Sequence, residues 1–186
     1  MPGWDYSGNG MYFITIVIQN REFILGEIIK TDDHSSVKLS DFGKIVDDEW
    51  NKSFEIRDEL ICDEYIIMPN HIHAIVELNS PVEAHGPHVD AHGRAHLLHG
   101  DLGESKLYRL PKSISSFIGG YKSAVNSKID DYIDENKLDI PKYNRNNHFF
   151  QPNYHDRVIR NDNEYQRIKK YIIDNPKNWE EKKQQR

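Results

Sequence analysis

The sequence predicts an α+β domain built on an antiparallel sheet, and three observations carry that reading. Short β-branched runs recur along the chain and are punctuated by turn residues. Longer stretches between them place apolar residues at helical spacing. The order is strand, helix, two strands, helix, strand, and then an added C-terminal helix, which is a ferredoxin-like arrangement of an antiparallel sheet with packed helices.

The elements follow in order. Tyr12 to Gln19 is a short apolar strand, and Gln19-Asn20-Arg21 turns the chain into a second strand-like piece, Phe23 to Ile29. Ser40 opens a helix that runs to about Phe54, with Phe42, Ile45, Val46, Trp50 and Phe54 on one stripe. Asp58 to Met68 and His71 to Leu78 read as strands joined at Pro69-Asn70, where proline removes a ladder donor. From about 80 to 110, Pro81, Gly86, Pro87, Gly93, Gly100 and Gly103 interrupt any regular element, so this stretch reads as a flexible insertion in a single domain spanning 1–186. Ser113 begins a helix to about Ile129, followed by a polar connection over 130–141. A last strand ends near Arg157-Val158-Ile159. Asn161 and Glu164 then have capping-box spacing for a final helix through Asp174, which Pro176 stops. The remainder, 177–186, reads as a charged tail with Trp179 as its apolar anchor.

At 186 residues the chain is long enough for a proper core, and hydrophobic residues make up 37% of it. No apolar run approaches the ~20 residues that span a bilayer. The N-terminus has neither the basic start nor the apolar stretch of a signal peptide, so a cytoplasmic location is expected. Cys62 is the single cysteine, which excludes an internal disulfide and a thiolate zinc cluster. The net charge of −6 opposes binding to a polyanion, but it is unevenly spread. Acidic residues crowd the first third, whereas basic residues outnumber them after Pro141. A polyanion is therefore expected to meet the C-terminal part.

His71 and His73 are the residues with chemistry to offer. On a strand, positions i and i+2 share a face, so both imidazoles point the same way while Ile72 points to the other side. Two neutral ring nitrogens can serve one metal ion, although two exposed histidines satisfied by water would look the same in sequence. Arg167, Tyr171 and Asn175 recur every fourth residue and share a helix face, with Asp174 three beyond Tyr171.

Met68-Pro69-Asn70-His71-Ile72-His73 resembles the HUH motif (His, hydrophobic, His) of single-strand DNA nucleases and transposases. Four further blocks follow the same pattern: Tyr12-Phe13-Ile14-Thr15, Ser113 through Ser123, Phe150 through Arg160, and Tyr171-Ile172-Ile173-Asp174-Asn175-Pro176. Together they resemble the small insertion-sequence tyrosine transposases, most closely the REP-associated branch, over most of 12–179 apart from the insertion.

That resemblance implies a divalent metal, Mg²⁺ or Mn²⁺, held by His71, His73 and Asn175. It also implies Tyr171 as the nucleophile that forms a 5′-phosphotyrosine and releases a 3′-hydroxyl. Asp174 and Glu77 are alternative third ligands, Glu77 because it shares the strand face of the histidines. An amide ligand would hold Mg²⁺ less firmly than a carboxylate. Tyr121 and Tyr154 are rival nucleophiles, with Tyr121 on the apolar stripe of its helix. The implied partner is hairpin-flanked single-stranded DNA, with a homodimer or a monomer both compatible. Lys122, Arg145, His155, Arg157, Arg160, Arg167 and Lys170 are the expected DNA contacts, along with His148 and Lys169, and Tyr143, Phe149 and Phe150 offer stacking surface.

The alternative is a nucleic-acid-binding module of the same fold that has lost catalysis, which the acidic net charge favours. A weaker third reading is metal sensing or storage by His85, His88, His92, His96 and His99 in the insertion. Gly86, Pro87 and Gly93 oppose a helix there.

Overall fold

A computed structural model describes residues 9–31, 34–79 and 113–183, with side chains through 179. The predicted insertion at 80–110, its histidines included, lies outside the described residues. Four strands form the main sheet: β1 (Gly10–Val17), β4 (Leu60–Met68), β5 (His71–Leu78) and β6 (His155–Ile159). Their spatial order is β4-β5-β1-β6, with every neighbouring pair antiparallel. With α1 (Asp41–Glu55) and α2 (Ile114–Glu135) as connections, this is the ferredoxin-like βαββαβ order expected from the sequence.

Alternation in the strands separates two cores. On one face, Tyr12, Ile14, Ile16, Ile72, Ala74 and Val76 are buried beneath α1 and α2. Trp50 of α1, fully buried, centres this core and meets the rings of Phe54, Tyr65, Phe117 and Tyr121. Ser40 caps α1 by accepting from the Gly43 amide, and its hydroxyl donates to the Ile24 carbonyl. Gly43 cannot be replaced at this crossing, because a Cβ there would lie 2.0 Å from the Leu25 carbonyl oxygen. Ser113 and Ser116 form a reciprocal capping box for α2.

The other face carries α3 (Asp162–Ile173), whose Ile168 and Ile172 pack on Ile75 and Ile159 with Phe13 and Ile66 around them. A β-bulge between Cys62 and Glu64 leaves Asp63 as the extra residue. Asp63 accepts from Tyr165 and Lys169 of α3, which ties the helix to the sheet edge. Asn161 caps α3 through the Glu164 amide as predicted, but the Glu164 carboxylate reaches back to the Arg160 amide rather than to the cap's own.

Three expectations about the elements change. Ser35–Leu39 forms a strand, β3, paired with β2 (Gly26–Lys30), where Ser35, Ser36 and Lys38 hid the pattern. α2 continues to Glu135 because Ile133 extends its buried stripe while Asp131 and Asp134 face solvent. The supposed tail begins as a helix, α4 (Asn175–Lys183). Pro176 has no N–H to continue the α3 ladder, so it breaks the helix at Asp174, but as the second residue of α4 it needs no such donor. Among the described residues no helix is long and apolar enough to cross a membrane.

Candidate metal and nucleophile site

His71 and His73 project from the start of β5 onto the α3 face, with ring centroids 4.4 Å apart. Strand alternation alone guarantees the shared face. What the tertiary structure adds is a partner for one nitrogen of each ring. His71 Nδ1 lies 2.7 Å from Asn70 Oδ1, and the Asn70 amide nitrogen donates to the Arg21 carbonyl at 3.0 Å. That second bond fixes which end of the Asn70 carboxamide is oxygen. Nδ1 of His71 must then be the donor, which leaves the lone pair of a neutral ring on Nε2. His73 Nδ1 lies 2.8 Å from Thr15 Oγ1, because Thr15 is its register partner on β1. Oriented imidazoles with one nitrogen tied to a protein oxygen are the usual preparation of a metal ligand.

The C-terminal helices cover the pair. Tyr171 Oη lies 3.3 Å from His73 Nε2, and Phe13 holds the Tyr171 ring edge-on. Trp179 stacks over His71 at 5.4 Å between centroids and meets Phe23 on its other side. Tyr171 lies in the last turn of α3 and Trp179 on α4, with Asn175 at the junction between the two helices. Asn175 is buried at the first position of α4, whereas Tyr171 remains 38% exposed and so reachable by a substrate. Among the described residues no three His, Cys, Asp or Glu side chains converge on one point. Neither Asp174 nor Glu77 therefore completes a set with the histidines, and Glu77 instead accepts from Asn79.

The rival tyrosines face away. Tyr121 is buried against α1, donates to the Val46 carbonyl, and has its hydroxyl held well above the usual range by burial. Tyr154 meets Ser115 Oγ of α2 at 2.9 Å.

The expected DNA contacts divide into three groups. His155 and Arg157 lie on the histidine face, in register with Thr15 and Phe13 respectively. His155 thus stands two strands from His73 in one row, about 10 Å away at the usual strand spacing. Arg167 shares the Tyr171 side of α3, and Arg160 and Lys170 are exposed nearby in sequence. Arg157 is salt-bridged to Glu164, and Lys169 to Asp63. Arg145 is exposed in the loop that follows Tyr143, whose ring packs against the α1–α2 core and whose backbone amide donates to Asp130 of α2. Lys122 has a different task from the one expected, since its ammonium donates to the carbonyls of Gln151, Pro152 and Asn153 at 2.7, 3.3 and 3.2 Å. Phe149 and Phe150 are buried and offer no stacking surface, while His148 is exposed.

Sequence reasoning passed over Thr15, Asn70 and Trp179 as parts of the site. Asn70 read as a turn residue and Trp179 as a tail anchor. Only Thr15 carried a signal, since a strand partner of the His-x-His segment must present a residue beside each imidazole.

The chain is 29% identical over 181 residues to an uncharacterized protein of Haemophilus influenzae, covering 96% of this chain and 86% of that protein. No protein-family model matches. Among solved structures, a REP-associated tyrosine transposase bound to a REP hairpin superposes with a TM-score of 0.54 at 16% identity, over 95% of this chain and 73% of that one. With its βαββαβ core, its paired histidines on the second central strand and a tyrosine-bearing helix above them, the chain has the fold of the HUH tyrosine transposases.

Proposed function

We propose that this protein is a metal-dependent single-stranded DNA endonuclease and strand transferase of the HUH tyrosine class, acting beside DNA hairpins. The observation that carries the proposal is the Tyr171 hydroxyl 3.3 Å from His73 Nε2, on a face where His71 stands alongside. The histidine pair suits a divalent cation, because both rings have Nδ1 engaged by a protein oxygen. His71, His73 and Asn175 would hold Mg²⁺ or Mn²⁺, which when bound supplies Lewis acidity to a phosphodiester oxygen.

This chain's own residues do the rest. Thr15 and Asn70 orient the imidazoles. Tyr171, exposed at the rim, presents its oxygen to phosphorus. The new P–O bond is a 5′-phosphotyrosine, and the bond that breaks releases the 3′-hydroxyl of the other strand segment. Arg167, one turn before Tyr171 on α3, would neutralise the charge that builds on the phosphate. His155 and Arg157 share the histidine face on β6, so a bound strand would run across β1 and β6 beside α3.

A covalent-trapping assay tests this. Labelled single-stranded hairpin DNA is incubated with the protein and Mn²⁺ and resolved on a denaturing gel. A protein–DNA adduct that disappears in Tyr171→Phe and in His71→Ala is expected. An adduct that survives Tyr171→Phe would move the nucleophile elsewhere, and hairpin binding without any adduct would leave a non-catalytic module.

A further inference from the structure

His73 is only 7% exposed, its ring enclosed by Phe13, His71 and Tyr171 at 5.2, 4.4 and 5.3 Å between centroids. Both of its nitrogens are engaged, Nδ1 with the Thr15 hydroxyl and Nε2 with the Tyr171 hydroxyl. This holds in either tautomer, because whichever nitrogen donates, the other accepts from a hydroxyl. A cation that takes the Nε2 lone pair must therefore break the Tyr171 contact.

Trp179 makes the equivalent contact at His71. Its indole lies over the imidazole with the two planes 37° apart, and Phe23 meets it at 81°. Phe23 precedes β2, is 57% exposed and belongs to neither core. The contact therefore fastens α4 to the body of the domain across the histidine pair. Tyr171 and Trp179 stand on opposite sides of the break at Asp174, where α3 ends and α4 begins. Pro176 has no N–H to bond back across that break, so α4 can swing without unwinding α3.

We propose that α4 is a latch and that this is its closed state: Tyr171 on His73, and Trp179 between His71 and Phe23, hold the histidine pair shut. A divalent cation binds with the latch released, so its apparent affinity is lowered by the fraction of molecules that are closed. The inference rests on the metal reading of the histidine pair.

The test measures Mn²⁺ binding by electron paramagnetic resonance on the full chain without DNA, counting only the binding that His71→Ala removes. Tyr171→Phe deletes one hydroxyl, and Phe23→Ala deletes the ring behind Trp179 while leaving the histidines in place. Each should tighten Mn²⁺ binding by about 2–10-fold, the equivalent of one hydrogen bond or one ring contact, and the double variant should exceed either. A second readout follows the protein labelled with 5-fluorotryptophan, its Trp179 resonance assigned with Trp179→Phe. As Mg²⁺ is added, that resonance should leave its stacked position and gain a solvent isotope shift. Weaker binding in Tyr171→Phe would make the hydroxyl a ligand instead of a latch. Unchanged affinity in Phe23→Ala, or a Trp179 resonance that stays put while metal binds, would make the α4 contact passive. Each of these overturns the latch while the metal site stands. If neither the parent nor the variants bind Mn²⁺ in a His71-dependent way, the metal reading fails and the latch with it.

Discussion

Tyr171 Oη and His73 Nε2 are 3.3 Å apart, although 98 residues separate them in the chain. The opposite nitrogen of the same ring meets Thr15, so His73 is held between a strand neighbour and the helix above. Thr15 is therefore a positioning residue for the proposed chemistry. Thr15→Val should lower the rate of adduct formation by about 10–100-fold, the usual cost of losing an orienting partner. Thr15→Ser should restore most of it, and hairpin affinity measured by fluorescence anisotropy should stay unchanged in both. Equal rates for Thr15→Val and the parent protein would remove Thr15 from the mechanism.

Asn70 joins His71 to the Arg21 turn and is itself buried. Asn70→Ala strands the Arg21 carbonyl and releases the His71 ring at once. Urea denaturation should report a loss of about 1–3 kcal/mol, together with a fall in adduct yield. A stable variant with unchanged yield would contradict the link.

Asn175 offers an amide where a carboxylate would bind a hard cation more firmly. Without DNA, Mn²⁺ binding by the parent protein should be weak in calorimetric titration. Asn175→Asp should tighten it by about tenfold or more, following the added ligand charge. Failure of the aspartate to tighten binding would place Asn175 outside the metal site.

Lys122 and Arg167 separate structure from DNA contact. Lys122→Met removes the donor of three backbone carbonyls and should cost about 1–3 kcal/mol of stability, with the salt dependence of DNA binding unchanged. Arg167→Ala should do the reverse: stability holds, and the slope of log K against log salt falls by about 1. The opposite pattern would return Lys122 to the phosphate backbone.

Cys62 faces the α1 side of the sheet, and burial pushes its thiol pKa up to about 11. Below that pH the thiol is protonated and unreactive. Between pH 7 and 9.5 its alkylation rate should climb about tenfold per unit without levelling. A plateau near pH 8.5 would show an ordinary exposed thiol.

The frame and half of the site are legible in local sequence pattern. Alternation from Tyr12 to Ile16 and from His71 to Leu78 dictates which side chains share a sheet face, and helical spacing over 40–54 and 113–129 dictates the covering stripes. Both are local periodicities of the backbone, so they survive in a one-dimensional reading. The common face of His71 and His73, and that of Arg167 and Tyr171, follow from the same rule. Polar β3 and the continuation of α2 escaped because their patterns are weak until a neighbour covers them.

What the histidines touch is set by the folded chain. Thr15 reaches His73 through the β1–β5 register, Asn70 reaches Arg21 across 49 residues, and Trp179 arrives over His71 because Pro176 restarts the helix instead of ending it. Likewise, Lys122 read as a phosphate contact until the turn at 151–153 folded onto it. Strand register and the placement of a final helix are set by packing between distant segments. The faces of this protein are therefore written locally, whereas the partners that meet on them are not.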